Sequence, residues 1–273
     1  MRQQWDDLPD ATRDAVAART GPIYAARTAD TGRNSEIAAT LDTRTGPVFV
    51  KGLTCNHPRA WTQQREATIA PYVAGLAPRL LWEINDGTWH LLGFEHLDGR
   101  PADYRPHSDD LPLVAEAIIN LSSVRAPVDL DLKHIEQRLA DYLDHPDDAE
   151  LLRGETLLHT DWTPDNVLIV NGAARVVDWA WPTRGAAWID AACWVVWLIS
   201  AGHTPADAEQ WAAKTPTWST APTRALDIFA TAQQRLWAGI AEEAPEVEWK
   251  RALATAADQW ASYRRPQDQE STP

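Results

Sequence analysis

The chain has 273 residues, enough for one large domain or two lobes with a sizeable core. Its formal net charge of −14 argues against nucleic-acid binding, which needs basic patches, and its two cysteines cannot supply a disulfide framework. No run is long and apolar enough to span a bilayer, and the N-terminus lacks the apolar stretch of a signal peptide. We therefore expect a cytoplasmic protein with no membrane partner.

The first hundred residues predict a small antiparallel lobe. Helical spacing of apolar residues predicts an opening helix over 7–18 and a second helix over 59–73. Short apolar and β-branched runs bounded by turn residues predict five strands, over 23–26, 37–41, 48–50, 80–84 and 89–94.

Lysine is scarce in this chain, with only four residues, while arginine is plentiful. Lys51 ends the third predicted strand, which is where kinases place the lysine that reaches the α- and β-phosphates of the nucleotide. Glu66 lies on a face of the following helix that can turn toward this strand and pair with Lys51. The alternative is an ordinary surface lysine at a strand end.

The segment 28–35, between the first two strands, stands in the place of a phosphate-covering loop. It has one glycine and is not the G-x-G-x-x-G loop of protein kinases. Its backbone N–H groups, together with Arg33, Asn34 and Ser35, could hold phosphate oxygens. An ordinary surface turn explains the segment equally well.

From residue 109 onward the chain is predicted to be mainly helical. Apolar residues recur at helical spacing over 113–121, 130–143, 186–201, 205–214, 222–243 and 246–265. The final segment, 266–273, is predicted to be a disordered tail.

A polar loop lies between two predicted strands in the middle of this helical region. An apolar pair at 157–158 precedes it, and the uninterrupted apolar run at 167–170 is typical of a buried strand. Between them, His159, Asp161 and Asn166 have the His-x-Asp-x-x-x-x-Asn spacing of the kinase catalytic loop. In that loop the Asp accepts the proton of a substrate hydroxyl and the Asn holds Mg²⁺.

Asn171-Gly172 then predicts a two-residue hairpin turn, and the return strand over 175–177 ends at Asp178. Such a hairpin would bring Asp178 back beside Asn166. Amide and carboxylate oxygens are ligands for Mg²⁺, which also binds substrate phosphates. The layout therefore predicts a nucleotide co-substrate, ATP or GTP, bound together with Mg²⁺.

The motifs HTDWTPDN (159–166) and VVDWAWPTRGAAWID (176–190) resemble those of the aminoglycoside phosphotransferase and choline kinase family. The resemblance covers nearly the full length. It implies an α+β, bilobal, protein-kinase-like fold, with a small antiparallel-β N-lobe over 1–97 and a larger, mostly helical C-lobe over 98–265.

The sequence departs from the family pattern at two places in the catalytic loop. The family most often has Gly after the His, where this chain has Thr160, and His-Pro-Gly before the Asn, where this chain has Thr163-Pro164-Asp165. These departures leave the chemistry intact and put an unusual carboxylate, Asp165, beside the predicted metal site.

The same resemblance assigns roles to individual residues. The expected reaction is direct transfer of a γ-phosphoryl group to a hydroxyl, with Asp161 as the base. His159 would brace the loop by hydrogen bonding, and Asp190 would anchor it from the next helix. The backbone of Glu95 and Leu97, at the exit from the N-lobe, would meet the purine edge.

The sequence constrains the identity of the phosphoryl acceptor less than it constrains the nucleotide site. Trp162, Trp179 and Trp181 crowd the catalytic hairpin; core packing explains them, but in a cleft they could stack on a ring or bind a cation. The acidic chain, with Asp165 near the site, can attract amino groups. We predict a hydroxylated small-molecule acceptor of cationic or aromatic character, in first place an antibiotic.

The sequence leaves several alternatives for the function. A metabolic kinase of choline, another amino alcohol or a sugar fits the same motifs. The sequence is equally compatible with a monomer and a homodimer. A metal hydrolase needs His pairs one helical turn apart, which the eight histidines do not form. A nucleotide-binding pseudokinase would need a cause of inactivity outside the lysine, base, amide and carboxylate, which are all present.

Overall fold

The computed structural model describes residues 3–29 and 35–265. The chain forms two compact units: the first joins Met1–Arg100 with Arg175–Trp181, and the second joins Pro101–Ala174 with Pro182–Pro273. Within the described ranges, no helix is long and apolar enough to cross a membrane. The predicted tail at 266–273 lies outside the described residues.

The first unit is built on a five-stranded antiparallel sheet in the order β1-β2-β3-β5-β4. Its strands are β1 (Ile23–Thr28), β2 (Ile37–Thr43), β3 (Gly46–Thr54), β4 (Leu80–Asn85) and β5 (Trp89–Glu95). Two helices accompany it, α1 (Asp10–Thr20) and α2 (Trp61–Ile69), the latter continued by a 3-10 turn at Ala70–Val73. All five strands and both helices were predicted from the sequence. However, β3 runs on past Lys51, which therefore lies inside the central strand and not at its end.

The two faces of β3 pack against different partners. Val50 belongs to the main core of the unit together with Val16 of α1. Phe49 packs in a second, smaller core that contains Ala67 of α2. Because alternate residues of a strand point to opposite faces, Lys51 lies on the same face as Phe49. The alternation of β3 thus directs the lysine toward α2.

The second unit is mostly helical. Its helices are α3 (Leu111–Ser122), α4 (Ile135–Arg138), α5 (Ile189–Ser200), α6 (Pro205–Ala212), α7 (Thr223–Glu242) and α8 (Glu248–Arg264). Helix α5 is buried on nearly all sides, which explains why its sequence is apolar almost throughout. It packs against α6 and α8, and α7 packs against α8.

The described residues also form six short strands later in the chain. They are β6 (Arg100–Pro101), β7 (Lys133–His134), β8 (Thr156–Leu158), β9 (Val167–Val170), β10 (Ala173–Val176) and β11 (Thr183–Gly185). They form two three-stranded sheets with the orders β10-β9-β6 and β7-β11-β8. At the turn between β9 and β10, Asn171 and Gly172 both have positive φ angles, 50° and 77°. This is the two-residue hairpin turn that the sequence predicted.

The prediction of one continuous helix over 130–143 was wrong. This stretch contains strand β7, the single helical turn α4 and a 3-10 turn at Ala140–Tyr142. Strand β7 pairs in parallel with β11, Lys133 opposite Thr183. Apolar residues at helical spacing predict a helix here, but pairing with a strand far along the chain makes residues 133–134 a strand. No local pattern reveals such a partner.

Candidate active site

In the first unit, one lysine is held between two carboxylates. The Nζ atom of Lys51 lies 2.7 Å from Oε2 of Glu66 and 2.8 Å from Oδ1 of Asp178. Lys51 and Glu66 are both buried, whereas the side chain of Asp178 is 26% exposed. The structure thus brings together three of the residues that the sequence singled out, including the Lys51–Glu66 pair.

The charges in this cluster support each other. Burial alone would lower the pKa of Lys51, but the carboxylates of Asp178 and Glu66 outweigh burial and raise this pKa above its ordinary value. Burial raises the pKa of Glu66, and Asp178 adds to that shift while Lys51 opposes it. Two carboxylates thus share one ammonium group. Asp178 is the more exposed of the two carboxylates and is therefore the one that an additional cation could contact.

The backbone around Asp178 is fixed within the same unit. Asp178 has a φ of 64°, in the left-handed region that a non-glycine residue seldom adopts. On either side, the N–H of Trp179 donates to Oε1 of Glu66 at 3.3 Å, and the N–H of Val176 donates to the carbonyl of Leu76 at 2.8 Å. An unusual conformation held from both sides is common at functional sites.

In the second unit, Asp161 and Asn166 are in direct contact. The Nδ2 atom of Asn166 donates to Oδ2 of Asp161 at 3.0 Å and to its backbone carbonyl at 3.2 Å. Both acceptors require the nitrogen of the amide to face Asp161. The amide oxygen of Asn166 is consequently directed elsewhere and is suited to bind a metal ion.

The loop that carries Asp161 is anchored by a buried carboxylate from α5. Asp190 accepts hydrogen bonds from the N–H groups of His159, at 3.0 Å, and Thr160, at 2.8 Å. The Nδ1 atom of His159 in turn accepts from the N–H of Asp161 at 3.3 Å. Burial raises the pKa of Asp190, although these N–H donors and Trp162 oppose the shift. His159 and Asp190 therefore fix the backbone of the loop and leave the Asp161 side chain exposed.

Asn166 and Asp178 each offer an oxygen of the kind that Mg²⁺ binds. Across the described part of the chain, no group of three or more His, Cys, Asp or Glu side chains could hold a metal ion. A site made of one amide and one carboxylate leaves most of the octahedral positions of Mg²⁺ to phosphates and water, as in nucleotide sites. Asn166 and Asp178 belong to different units, and their joint role stays a prediction.

The predicted nucleotide contacts are only partly described. Arg33 and Asn34 lie outside the described residues, and Ser35 is half-buried ahead of β2. The N–H of Glu95 donates to the carbonyl of Arg79 at 2.9 Å, so this N–H is used within the sheet. A purine edge would have to meet other backbone atoms of Glu95. Leu97, half-buried after β5, also stays a prediction.

The predicted acceptor contacts divide into two groups. Trp162 is fully buried and Trp179 is 3% exposed, so neither ring offers a face to a ligand, and we do not retain them as acceptor contacts. Large aromatics dominate core burial, and this accounts for both. Asp165 is exposed and Trp181 is half-buried; Trp181 packs edge-on against Trp61 with centroids 4.9 Å apart. The roles of these two stay predictions.

One polar residue beside Asp161 escaped the sequence reading. Nη1 of Arg138 donates to Oγ1 of Thr160 at 2.9 Å and to Oγ1 of Thr183 at 2.5 Å. These partners come from two other segments of the chain. Arginine is common in this sequence, and neither spacing nor composition marks Arg138.

The fold is that of small-molecule kinases of known structure. The choline kinase LicA from Streptococcus pneumoniae superposes with a TM-score of 0.64 at 12% identity, over 93% of this chain and 98% of that one. The aminoglycoside phosphotransferase APH(4)-Ia superposes with a TM-score of 0.58 at 14% identity, over 91% of this chain and 98% of that one. LicA has been crystallised with AMP, and a thermostable mutant of APH(4)-Ia with ADP and hygromycin B.

No protein-family model matches the sequence. No curated protein matches it either. At these identities the superpositions establish the fold alone, and they confirm the predicted α+β kinase-like architecture with its antiparallel sheet and its mostly helical part.

Proposed function

We propose that this chain is a phosphotransferase that moves the γ-phosphoryl group of ATP or GTP to a hydroxyl of a small molecule. The observation that supports this most strongly is the buried Lys51, held by ion pairs to Glu66 and Asp178. A lysine oriented by a helix glutamate is a required part of kinase sites. The hydrogen bond between Asn166 and Asp161 supplies a base and an amide ligand in the arrangement that such a reaction uses.

The roles follow from the chemistry of each group. Asp161 accepts the proton of the acceptor hydroxyl while the hydroxyl oxygen bonds to the γ-phosphorus and the bond to the β,γ-bridging oxygen breaks. Lys51 holds the nucleotide phosphates, with Glu66 fixing its ammonium group. Asn166 and Asp178 are the proposed ligands of Mg²⁺, which would neutralise phosphate charge. The products are the nucleoside diphosphate and a phosphate ester.

For the acceptor, we propose an antibiotic or a similar hydroxylated natural product. The solved structures of the same fold are named as kinases of choline and of aminoglycosides, which favours a small molecule and gives no support to a pseudokinase. The exposed Asp165 and the half-buried Trp181 are the remaining candidate contacts. A metabolic kinase of choline, another amino alcohol or a sugar is the second candidate.

The test is a transfer assay with γ-labelled ATP and GTP. Purified protein is incubated with aminoglycosides, nucleoside antibiotics, macrolides and choline, and the label is followed into each compound. Label in an antibiotic supports the proposed antibiotic acceptor, whereas label in choline alone would favour the metabolic kinase. Label transferred to protein serines would contradict a small-molecule acceptor.

A further inference from the structure

Arg138, at the end of α4, presents a guanidinium group beside the candidate base. Its Nη1 atom is fixed by the hydroxyls of Thr160 and Thr183, and Thr160 immediately precedes Asp161. Thr183, in β11, is fully buried, so one of the two anchors is rigid. Two hydroxyl acceptors on one nitrogen set the direction in which the rest of the planar guanidinium points.

Besides the anchored Nη1, the guanidinium of Arg138 has two further donor atoms, Nε and Nη2. Within the described part of the chain, Nε and Nη2 have no hydrogen-bond acceptor, and no carboxylate forms an ion pair with this residue. Some arginines of the same unit are paired with carboxylates, such as Arg264 with Glu209 and Asp227, whereas others, such as Arg265, are not paired with one among the described residues. Arg138 differs from Arg265 in that its guanidinium lies among protein atoms and is fixed by two hydroxyls.

The guanidinium of Arg138 is partly surrounded by protein although the residue reaches solvent. Arg138 as a whole is exposed, but protein atoms surround its charged end, and this burial lowers the pKa of the guanidinium. The acidic groups that face it are Asp161 and Asp190, with the thiol of Cys193, and they oppose that shift. Asp190 is already engaged by backbone N–H groups, so it does not neutralise Arg138 by direct pairing.

We infer that Arg138 binds an anionic group, a carboxylate or a phosphate, on the same acceptor molecule whose hydroxyl meets Asp161; this rests on the proposed function and narrows its acceptor class. The free Nε and Nη2 form the fork that matches two oxygens of such a group. The acceptor is favoured over the nucleotide because Arg138 is tied to the residue next to Asp161, while the nucleotide phosphates have Lys51. The acceptor then carries a hydroxyl and a negative charge, in contrast to the cationic acceptor expected from net charge.

The test compares hydroxyl compounds that differ only in an anionic group. The pairs are homoserine with homoserinamide, glycerate with glyceramide, and 4-hydroxybutanoate with 4-hydroxybutanamide. Label transfer from ATP and GTP is measured as kcat/KM, and binding in the presence of ADP and Mg²⁺ is measured by calorimetry, which needs no turnover. The proteins are the wild type, Arg138→Met, Arg138→Lys, and Arg27→Met, a control that removes one exposed arginine paired with Asp42.

With the wild type and Arg27→Met, we expect the anionic member of a pair to be preferred by at least about tenfold, the size of a charge-assisted hydrogen bond. Arg138→Met should bring this ratio close to one while nucleotide affinity stays unchanged, and Arg138→Lys should give an intermediate ratio. Thermal unfolding checks that each variant is folded.

Three outcomes would overturn the inference. In the first, the wild type shows no preference for the anionic compounds in either assay. In the second, Arg138→Met keeps the preference, which would leave Arg138 only the structural role of linking Thr160 to Thr183. A loss of nucleotide affinity in Arg138→Met with an unchanged ratio would assign the arginine to the nucleotide. All three leave nucleotide-dependent transfer itself intact, whereas absence of nucleotide binding in the wild type would contradict the proposed function.

Discussion

The ammonium group of Lys51, on the central strand of the sheet, lies 2.7 Å from the carboxylate of Glu66 on α2, and the two side chains are only 10% and 5% exposed. Asp178 is the second partner of the same ammonium. Burying a lysine is costly unless its charge is compensated. The strand, the helix and the segment that carries Asp178 are therefore coupled through one cation.

This coupling predicts the result of a double-mutant cycle. Lys51→Met should lower the free energy of unfolding by about 3 kcal/mol, because it leaves two carboxylates uncompensated. Combined with Glu66→Gln, the loss should fall short of the sum of the single variants by about 1–3 kcal/mol, as measured by urea unfolding. The exposed pair Arg27 and Asp42 is the control, with an expected coupling below about 1 kcal/mol. Additive losses at Lys51 and Glu66 would contradict a coupled buried pair.

Removal of Mg²⁺ should weaken nucleotide binding. The proposed ligands Asn166 and Asp178 supply too few oxygens to hold a bare ion, so the metal and the phosphates should bind together. Calorimetry in Mg²⁺ and in EDTA should differ by about tenfold or more in affinity for ATP or GTP, and Asp178→Asn should shrink this difference. Equal affinity in Mg²⁺ and EDTA would remove the metal role from both residues.

The backbone conformation of Thr160 should lower the stability of the folded state. Its φ of 67° lies in the left-handed region, where a β-branched residue is strained and glycine is not. Thr160→Gly should therefore raise the free energy of unfolding by about 1 kcal/mol, even though the contact with Arg138 is lost. Thr163, with a φ of −58°, is the matched control, and Thr163→Gly should destabilise by several tenths of a kcal/mol. Equal losses in both variants would refute a strained Thr160.

The carboxyl group of Asp86 should contribute to the loss of folding stability in acid. Burial would raise the pKa of this carboxyl, but hydrogen bonds from the Thr12 hydroxyl and from the N–H groups of Trp89 and Thr88 outweigh it and lower the pKa below 3.8. The folded state thus favours the charged form, and this stabilisation is present above pH 3.8 and is lost as the pH falls through the lowered pKa.

Asp86→Asn should accordingly flatten the dependence of stability on pH below about pH 5, as followed by urea unfolding at a series of pH values. Asp14→Asn, a change at an exposed position of α1, is the control and should keep the wild-type slope. Parallel curves for the wild type and Asp86→Asn would contradict the role given to this carboxylate.

The parts of the fold and site that were readable from the sequence depend on local patterns. The Asn171-Gly172 turn follows from two residues that tolerate positive φ, and the Lys51–Glu66 pair follows from one strand and the helix after it. The environment of Arg138 was not readable, because its partners Thr160 and Thr183 come from separate segments. The same holds for strand β7, whose existence depends on pairing with β11.

The tryptophans near the catalytic hairpin illustrate a second limit. A ring beside a catalytic residue in sequence can face a ligand or the core, and the sequence does not distinguish the two. Trp162 is fully buried, whereas the adjoining Asp161 is exposed. Only packing against the rest of the chain decides which side of the loop becomes core.

In the proposed reaction, Asp161 acts as the base in transfer of a phosphoryl group from a nucleotide. The most direct measurement is single-turnover transfer of label from γ-labelled ATP or GTP to the accepted compound, in the wild type and in Asp161→Asn, with nucleotide affinity measured in parallel. Asp147→Asn, which removes an exposed carboxylate elsewhere in the same unit, is the control for charge. We predict that Asp161→Asn loses transfer by at least about a hundredfold while its nucleotide affinity stays within about twofold of the wild type. Transfer at the wild-type rate in Asp161→Asn would contradict the role of Asp161 as the base.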